Sequence, residues 1–179
     1  MKFKTYEELD EFVAKTNTGS FSSLDMESMV PELEKLQDNE IYLEIGVDKG
    51  KSLCVARTIA KPEVRVCGID LRPDPKVPNT SFWQGDSKSI ARMWSWDFGM
   101  WRISLLFIDG DHTYGGCRSD IDSWYPHMKE HGVIMFHDCD EGSPGVLWSV
   151  SEFVSTHQVA KFELFKKTDK NTSMAKIQL

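Results

Sequence analysis

The sequence predicts an α/β fold, a doubly wound and mostly parallel sheet of about seven strands with an antiparallel C-terminal hairpin and a short helical N-terminal cap. Three observations predict it. From residue 40 onward, short apolar runs alternate with segments of helical periodicity, the pattern of βαβ crossovers and of a sheet covered on both faces. The last two apolar runs are joined only by the polar "KTDKN" (167–171), which suits an antiparallel hairpin at a sheet edge. Ahead of residue 39, apolar residues recur at helical spacing.

Taken in order, Thr5 followed by Glu8 reads as a capping box, and Tyr6, Leu9, Phe12 and Val13 then repeat at helical spacing. After a break at Gly19-Ser20, a second helix runs roughly from Ser23 to Leu36, with Pro31 interrupting it or starting a new one. Strands are expected at 41–45, 64–69, 80–84, 103–108, 132–137, 160–166 and 173–178, with helices between them at 50–60, 87–94, 116–128 and 145–157. Residues 1–38 then form a helical cap on a core of residues 39–179, within one domain. Trp124, Ile121 and Met128 mark the apolar face of the helix at 116–128, and Trp148, Val150, Phe153 and Val154 that of the helix at 145–157. Arg118 and Asp120 fall on a solvated helix face. For Trp94, Trp96 and Trp101, around "SWDFGMW", a substrate wall, core packing and a subunit contact are all open readings.

Bulk properties exclude several classes of function. At 179 residues, 40% hydrophobic and 27% charged, the chain can bury a sizeable core in one domain. A formal net charge of −7 argues against nucleic acid or an anionic membrane as the main partner. The start "MKFKTYEELDEF" lacks the apolar core of a secretory signal, and the apolar runs are far shorter than a membrane span. Cys54, Cys67, Cys117 and Cys139 show no metal-binding spacing and sit in or beside apolar runs, as reduced thiols do. The expectation is a cytoplasmic protein.

In an open α/β sheet, ligands bind at the carboxyl ends of the strands near the point where strand order reverses. "YLEIGVDKGKS" ends the first strand with Glu44, Gly46, Val47, Gly50 and Ser52, a glycine loop opening a helix. It is not a P-loop, because only three residues separate Gly46 from Gly50, and Asp48 replaces the second glycine of a dinucleotide fingerprint. Glu44 and Asp48 would repel a pyrophosphate, so hydroxyls and a cation suit this loop better. Asp70, followed by Leu71, ends the second strand, where a carboxylate can accept both hydroxyls of a ribose. Asp86 and Ser87 follow the third strand, placed for an adenine amino group, although Asp86 also reads as a helix N-cap.

"LLFIDGDHTY" (105–114) and "VIMFHDCD" (133–140) place Asp109, His112, His137 and Asp138 directly after apolar runs. Two carboxylates and an imidazole at the ends of strands expected to be adjacent suit a divalent-metal site with open positions, Asp109, His137 and Asp138 being the ligands. A histidine ligand shifts the choice from magnesium towards manganese or iron. His112, three residues beyond Asp109, is the candidate general base.

From about residue 40 to 157 the sequence resembles the class I S-adenosylmethionine-dependent methyltransferases, which share a Rossmann-like fold. Within them it is similar to a small-domain family carrying "IDGDH-x-Y" and a later "HD", most specifically over residues 107–138. The resemblance implies that Glu44, Gly46 and Gly50 hold the amino acid end of the cofactor, Asp70 the ribose, and Asp86 with Ser87 the adenine. Similarity to metal-dependent sugar and small-molecule O-methyltransferases implies Asp109 and Asp138 as metal ligands, with magnesium or manganese, and His112 as the base. His137 stands where such enzymes often have an acid, and Lys51 where they often have a small residue. The expected partner is a small hydroxylated acceptor, which no motif names. The short cap leaves an open site or one completed by a second copy in a homodimer. Two other functions stay open: an iron-dependent hydroxylase on the same fold, and a non-catalytic nucleoside-binding domain.

Overall fold

The computed structural model describes residues 3–97, 102–165 and 173–179. Two helices come first, α1 (Tyr6–Val13) and α2 (Ser23–Lys35). Strands and helices then alternate: β1 (Ile41–Ile45), α3 (Lys51–Ile59), β2 (Arg65–Asp70), β3 (Ser81–Gln84), α4 (Ser87–Asp97), β4 (Ile103–Ile108), α5 (Tyr114–Trp124), β5 (Met128–Phe136) and α6 (Pro144–Thr156). The antiparallel strands β6 (Lys161–Phe165) and β7 (Met174–Gln178) close the sheet, whose order is β3-β2-β1-β4-β5-β7-β6. Strands β1 to β5 pair in parallel, and β7 runs antiparallel between β5 and β6. The predicted fold class holds, and strand order reverses between β1 and β4. Among the described residues no helix is long and apolar enough to cross a membrane.

The sheet divides two apolar layers. Helices α1 to α3 pack on one face, where Leu9, Met29, Leu33 and Leu53 meet Tyr42, Phe107 and Met135. Helices α4 to α6 cover the other, where Trp94, Ile121, Trp124, Val150 and Phe153 meet Leu43, Ile45, Leu106 and Phe136. Trp94 and Trp124 pack edge to face with centroids 5.2 Å apart, so Trp94 is core and not a substrate wall. The 167–171 connection, Trp101 and the side chain of Trp96 lie outside the described residues.

Several boundaries differ from expectation for identifiable reasons. Pro31 lies inside an unbroken α2, whose buried Met29, Val30 and Leu33 anchor the helix on both sides of it. The helix expected to reach 128 ends at Trp124; Pro126 lies in a 3-10 turn at Tyr125–His127, and Met128 already pairs with Ile103 in β5. A register shift then separates that pair from Leu105–Val133, with His131 at φ +61° beside Gly132. Asp120 is not solvated but buried, and its carboxylate accepts a hydrogen bond from Ser87. Trp148 is not on the apolar face of α6 either: it is 63% exposed, while Val150 and Phe153 are buried.

Candidate functional site

The register of the central strands builds the site. Ile45 of β1 lies beside Ile108 of β4, and Ile108 beside Phe136 of β5. One further rung continues past the strands: Asp109 N–H donates to Ile45 O at 2.8 Å and His137 N–H to Ile108 O at 3.1 Å. Asp109 and His137 therefore leave the sheet side by side. Gly46 must be glycine there, since φ is +87° and a Cβ would lie 2.1 Å from the Asp109 carbonyl oxygen. The strand ends border a cavity of about 640 Å³, lined by Gly46, Asp70, Leu71, Asp86, Ser87, Asp109, His112 and Asp138 among others.

At the β1–β3 end, several candidate cofactor residues lie in the scaffold and not in the cavity lining. Glu44 is fully buried beneath the loop, accepting from Tyr42 Oη at 2.7 Å and Ser52 Oγ at 2.5 Å. Burial pushes its carboxyl up to about 8, against the pull of these two hydroxyls. Val47 and Ser52 are likewise buried, and Gly50 takes φ +83° at the start of α3. Asp70 reaches the cavity; its oxygens accept the Asp48 and Arg72 N–H groups, both at 2.7 Å, and keep lone pairs to spare. Leu71, 74% exposed, forms part of the same wall. Asp86 caps α4, accepting from Ser89 N–H at 3.1 Å and Ser89 Oγ at 2.8 Å, so its capping role coexists with a place in the lining. Ser87 holds the buried Asp120, whose carboxyl burial raises to about 6. Sequence reasoning missed Asp120 because its helical neighbours gave no sign that this face is covered.

At the β4–β5 end, ligand atoms of Asp109, His137 and Asp138 all lie within 4.8 Å of one another. His137 Nδ1 faces Asp138 Oδ2 at 3.1 Å and Asp109 Oδ1 at 3.6 Å; Nε2 faces Asp25 Oδ1 at 3.3 Å. Neither ring nitrogen has a well-formed hydrogen bond, although the ring is only 3% exposed. Burial alone would depress this imidazole, yet the surrounding carboxylates, Asp138 and Asp25 foremost, raise it to about 10. An unsatisfied buried nitrogen beside two carboxylates that open to the cavity is a donor set that fits a divalent cation. Asp138 adopts φ +53°, a left-handed conformation that Asp tolerates better than most residues. His112 Nε2 lies 3.3 Å from Asp109 Oδ1 and 3.6 Å from Asp138 Oδ2, and the hydrogen bond to Asp109 raises its pKa.

Asp25 was not among the sequence candidates. Its only signal is Ser22 three residues earlier, which reads as a capping box and gives no hint of the distant His137. Beside His112, a shallower groove of about 650 Å³ continues along Tyr114, Gly145 and Trp148, sharing Gly110, Asp111 and His112 with the main cavity.

Comparison with known proteins adds the following. A protein of Acanthamoeba polyphaga mimivirus is 27% identical over 158 residues, covering 79% of this chain and 70% of its own length. Among solved structures, the MycE methyltransferase from the mycinamycin biosynthetic pathway, in complex with Mg, SAH and mycinamycin VI, superposes with a TM-score of 0.72 at 16% identity. That match covers 96% of this chain, which spans about half of MycE (53%). CalS11, a TDP-rhamnose 3'-O-methyltransferase of calicheamicin biosynthesis, superposes with a TM-score of 0.64 at 14% identity, covering 87% of this chain and 77% of its own. At these identities the two structures share the fold. The family of methyltransferase domains matches residues 43–139, more than half of the chain and both ends of the cavity, and the chain belongs to it.

Proposed function

We propose that the protein transfers a methyl group from S-adenosylmethionine to a hydroxyl oxygen of a small hydroxylated acceptor, assisted by a divalent metal. The observation that carries this reading is the continuity of one cavity from Asp70 and Asp86 to Asp109, His112 and Asp138. Asp70 would accept the ribose hydroxyls, Asp86 and Ser87 would border the adenine, and Gly46 would let the amino acid end approach the backbone. Glu44, Val47, Gly50 and Ser52 would serve by fixing the loop from below. The transferred methyl leaves sulfur as an O–CH3 bond forms, the sulfonium becomes a neutral thioether, and the acceptor's hydroxyl proton passes to His112. Asp109, His137 and Asp138 would hold magnesium or manganese, which would lower the pKa of a bound acceptor hydroxyl. Because methyl transfer requires oxygen, carbon and sulfur in line, positioning supplies much of the rate.

The acceptor class follows from the groove beyond His112. Trp148 and Tyr114, 63% and 42% exposed, offer aromatic surface to a ring bearing hydroxyls, such as a sugar. MycE, crystallised with mycinamycin VI, and CalS11, acting on TDP-rhamnose, support a glycoside-like acceptor. A net charge of −7 supports a small molecule over a nucleic acid.

Calorimetric titration of S-adenosylhomocysteine into chelator-treated protein, repeated with magnesium and with manganese, tests the reading. Micromolar binding is expected, weakened about 10-fold or more in Asp70→Ala, where a hydrogen-bonded charged partner is lost. Absence of binding under all three conditions overturns the methyltransferase reading.

A further inference from the structure

The N-terminal cap places a buried carboxylate, Asp25, against the His137 ring, behind the acidic end of the cavity. Asp25 of α2 is 1% exposed, which a capping box does not require, since such carboxylates ordinarily sit at the surface. Burying a carboxylate is strongly unfavourable unless its oxygens are satisfied. Here the two oxygens have different partners. Oδ2 accepts from the Ser22 backbone N–H and hydroxyl, each at 2.7 Å. Oδ1 lies 3.3 Å from His137 Nε2, and the opposite ring nitrogen, Nδ1, faces Asp138 and Asp109.

Bound to a metal, an imidazole is neutral, with one N–H and one lone pair, and only the lone pair can ligate. Which nitrogen carries the proton is decided by the partner of the other. We infer that Asp25 is the positioning residue of the metal centre: when the metal binds, Asp25, whose Oδ1 stands 3.3 Å from Nε2, would take the Nε2–H of His137 and so turn the Nδ1 lone pair towards the position between Asp109 and Asp138. Ser22 in turn fixes Asp25, which makes the helical cap part of the centre. The inference rests on the metal reading proposed above. Carboxylate partners of metal-bound histidines contribute roughly 10–100-fold in metal affinity.

Asp25→Asn gives the sharpest test, because Ser22 dictates the outcome. Its N–H and hydroxyl both need an acceptor, so the Asn carbonyl oxygen faces Ser22 and the amide NH2 faces His137. Nε2 then becomes the acceptor, the ring proton moves to Nδ1, and the ligand lone pair is lost without a change of side-chain size. The probe is Mn²⁺, followed by its affinity and by pulsed electron paramagnetic resonance, which reports ¹⁴N bound to the ion. Wild type is expected to show histidine nitrogen coupling. Asp25→Asn is expected to lose the coupling and bind Mn²⁺ about 10–100-fold more weakly. In a His137→Gln background the same substitution should change affinity no further.

If Asp25→Asn does not fold, NMR of ¹⁵N-histidine-labelled wild type with Mg²⁺ replaces it, and the proton of His137 should reside on Nε2. No Mn²⁺ binding by wild type overturns the metal reading and the inference together. Mn²⁺ binding without nitrogen coupling, coupling that survives in Asp25→Asn, or a proton on Nδ1 overturns the inference alone.

Discussion

Glu44 and Asp109 are acids at the ends of neighbouring parallel strands, and the protein treats them in opposite ways. Glu44 pairs with Phe107 inside the β1–β4 ladder, so it lies beside the apolar layer under α3, fully buried and bound by Tyr42 and Ser52. Asp109 follows Phe107 by two residues, roughly 7 Å along the strand, and stands past the last paired rung. It opens to the cavity beside His112 and Asp138. Two residues of register thus separate an acid that belongs to the core from one that belongs to the site. The type of residue decides neither fate; the covering helix does.

Breaking the contact between the two loops should have the largest effect. The Gly46→Ala methyl would meet the Asp109 carbonyl oxygen at 2.1 Å on a backbone with φ +87°. Left-handed strain and overpacking together are expected to cost about 3 kcal/mol or more, measured by urea unfolding at pH 7. A loss below about 1 kcal/mol would mean that the loops yield easily and that register alone does not set the site.

Glu44→Gln sharpens the comparison next. Folded Glu44 titrates near 8, above its ordinary value of 4.5, so between those values the folded chain holds a proton that the unfolded chain has released. Stability attributable to this group is therefore complete below about pH 4.5 and is lost as pH rises towards 8, at about 1.4 kcal/mol per pKa unit of difference. Chelator-treated Glu44→Gln, which keeps acceptor and donor for Tyr42 and Ser52, is expected to be the more stable protein at pH 8.5 and to lose that advantage near pH 5. His137 also disfavours high pH in the apo protein, which is why the difference between variant and wild type is the quantity to follow. Parallel stability curves would show that Glu44 is ionised in its pocket.

The contrast also explains which features the sequence disclosed. Alternation of apolar runs and helices revealed the sheet, because each strand buried on both faces writes its own run, as "ISLLFI" does. The meeting of Asp109, His137 and Asp138 was legible because charge after such a run marks the place where the chain leaves the core. Asp25 was not, since its partner His137 lies 112 positions away and its local pattern is satisfied by Ser22. Asp120 and Trp148 were assigned to the wrong side of their helices for a related reason. Helical periodicity gives the apolar stripe, but not where a neighbour such as Ser87 reaches over its edge or where the stripe stops short of solvent.

The smallest effect is expected at the open end, where side chains would contribute to binding without supporting the core. Trp148 is 63% exposed and borders the groove with Tyr114 and His112, so its removal uncovers little buried surface. Trp148→Ala should leave the unfolding midpoint and S-adenosylhomocysteine affinity unchanged. Loss of aromatic stacking worth about 0.5–1.5 kcal/mol should raise KM for a ring-bearing acceptor about 2- to 10-fold, with kcat nearly constant. A panel of free and nucleotide-linked glycosides, assayed with wild type and variant side by side, provides the measurement. An unchanged KM would move the acceptor elsewhere, towards the Ser20 side of the main cavity. A midpoint lowered by several degrees would instead place Trp148 with Glu44, as scaffold and not as site.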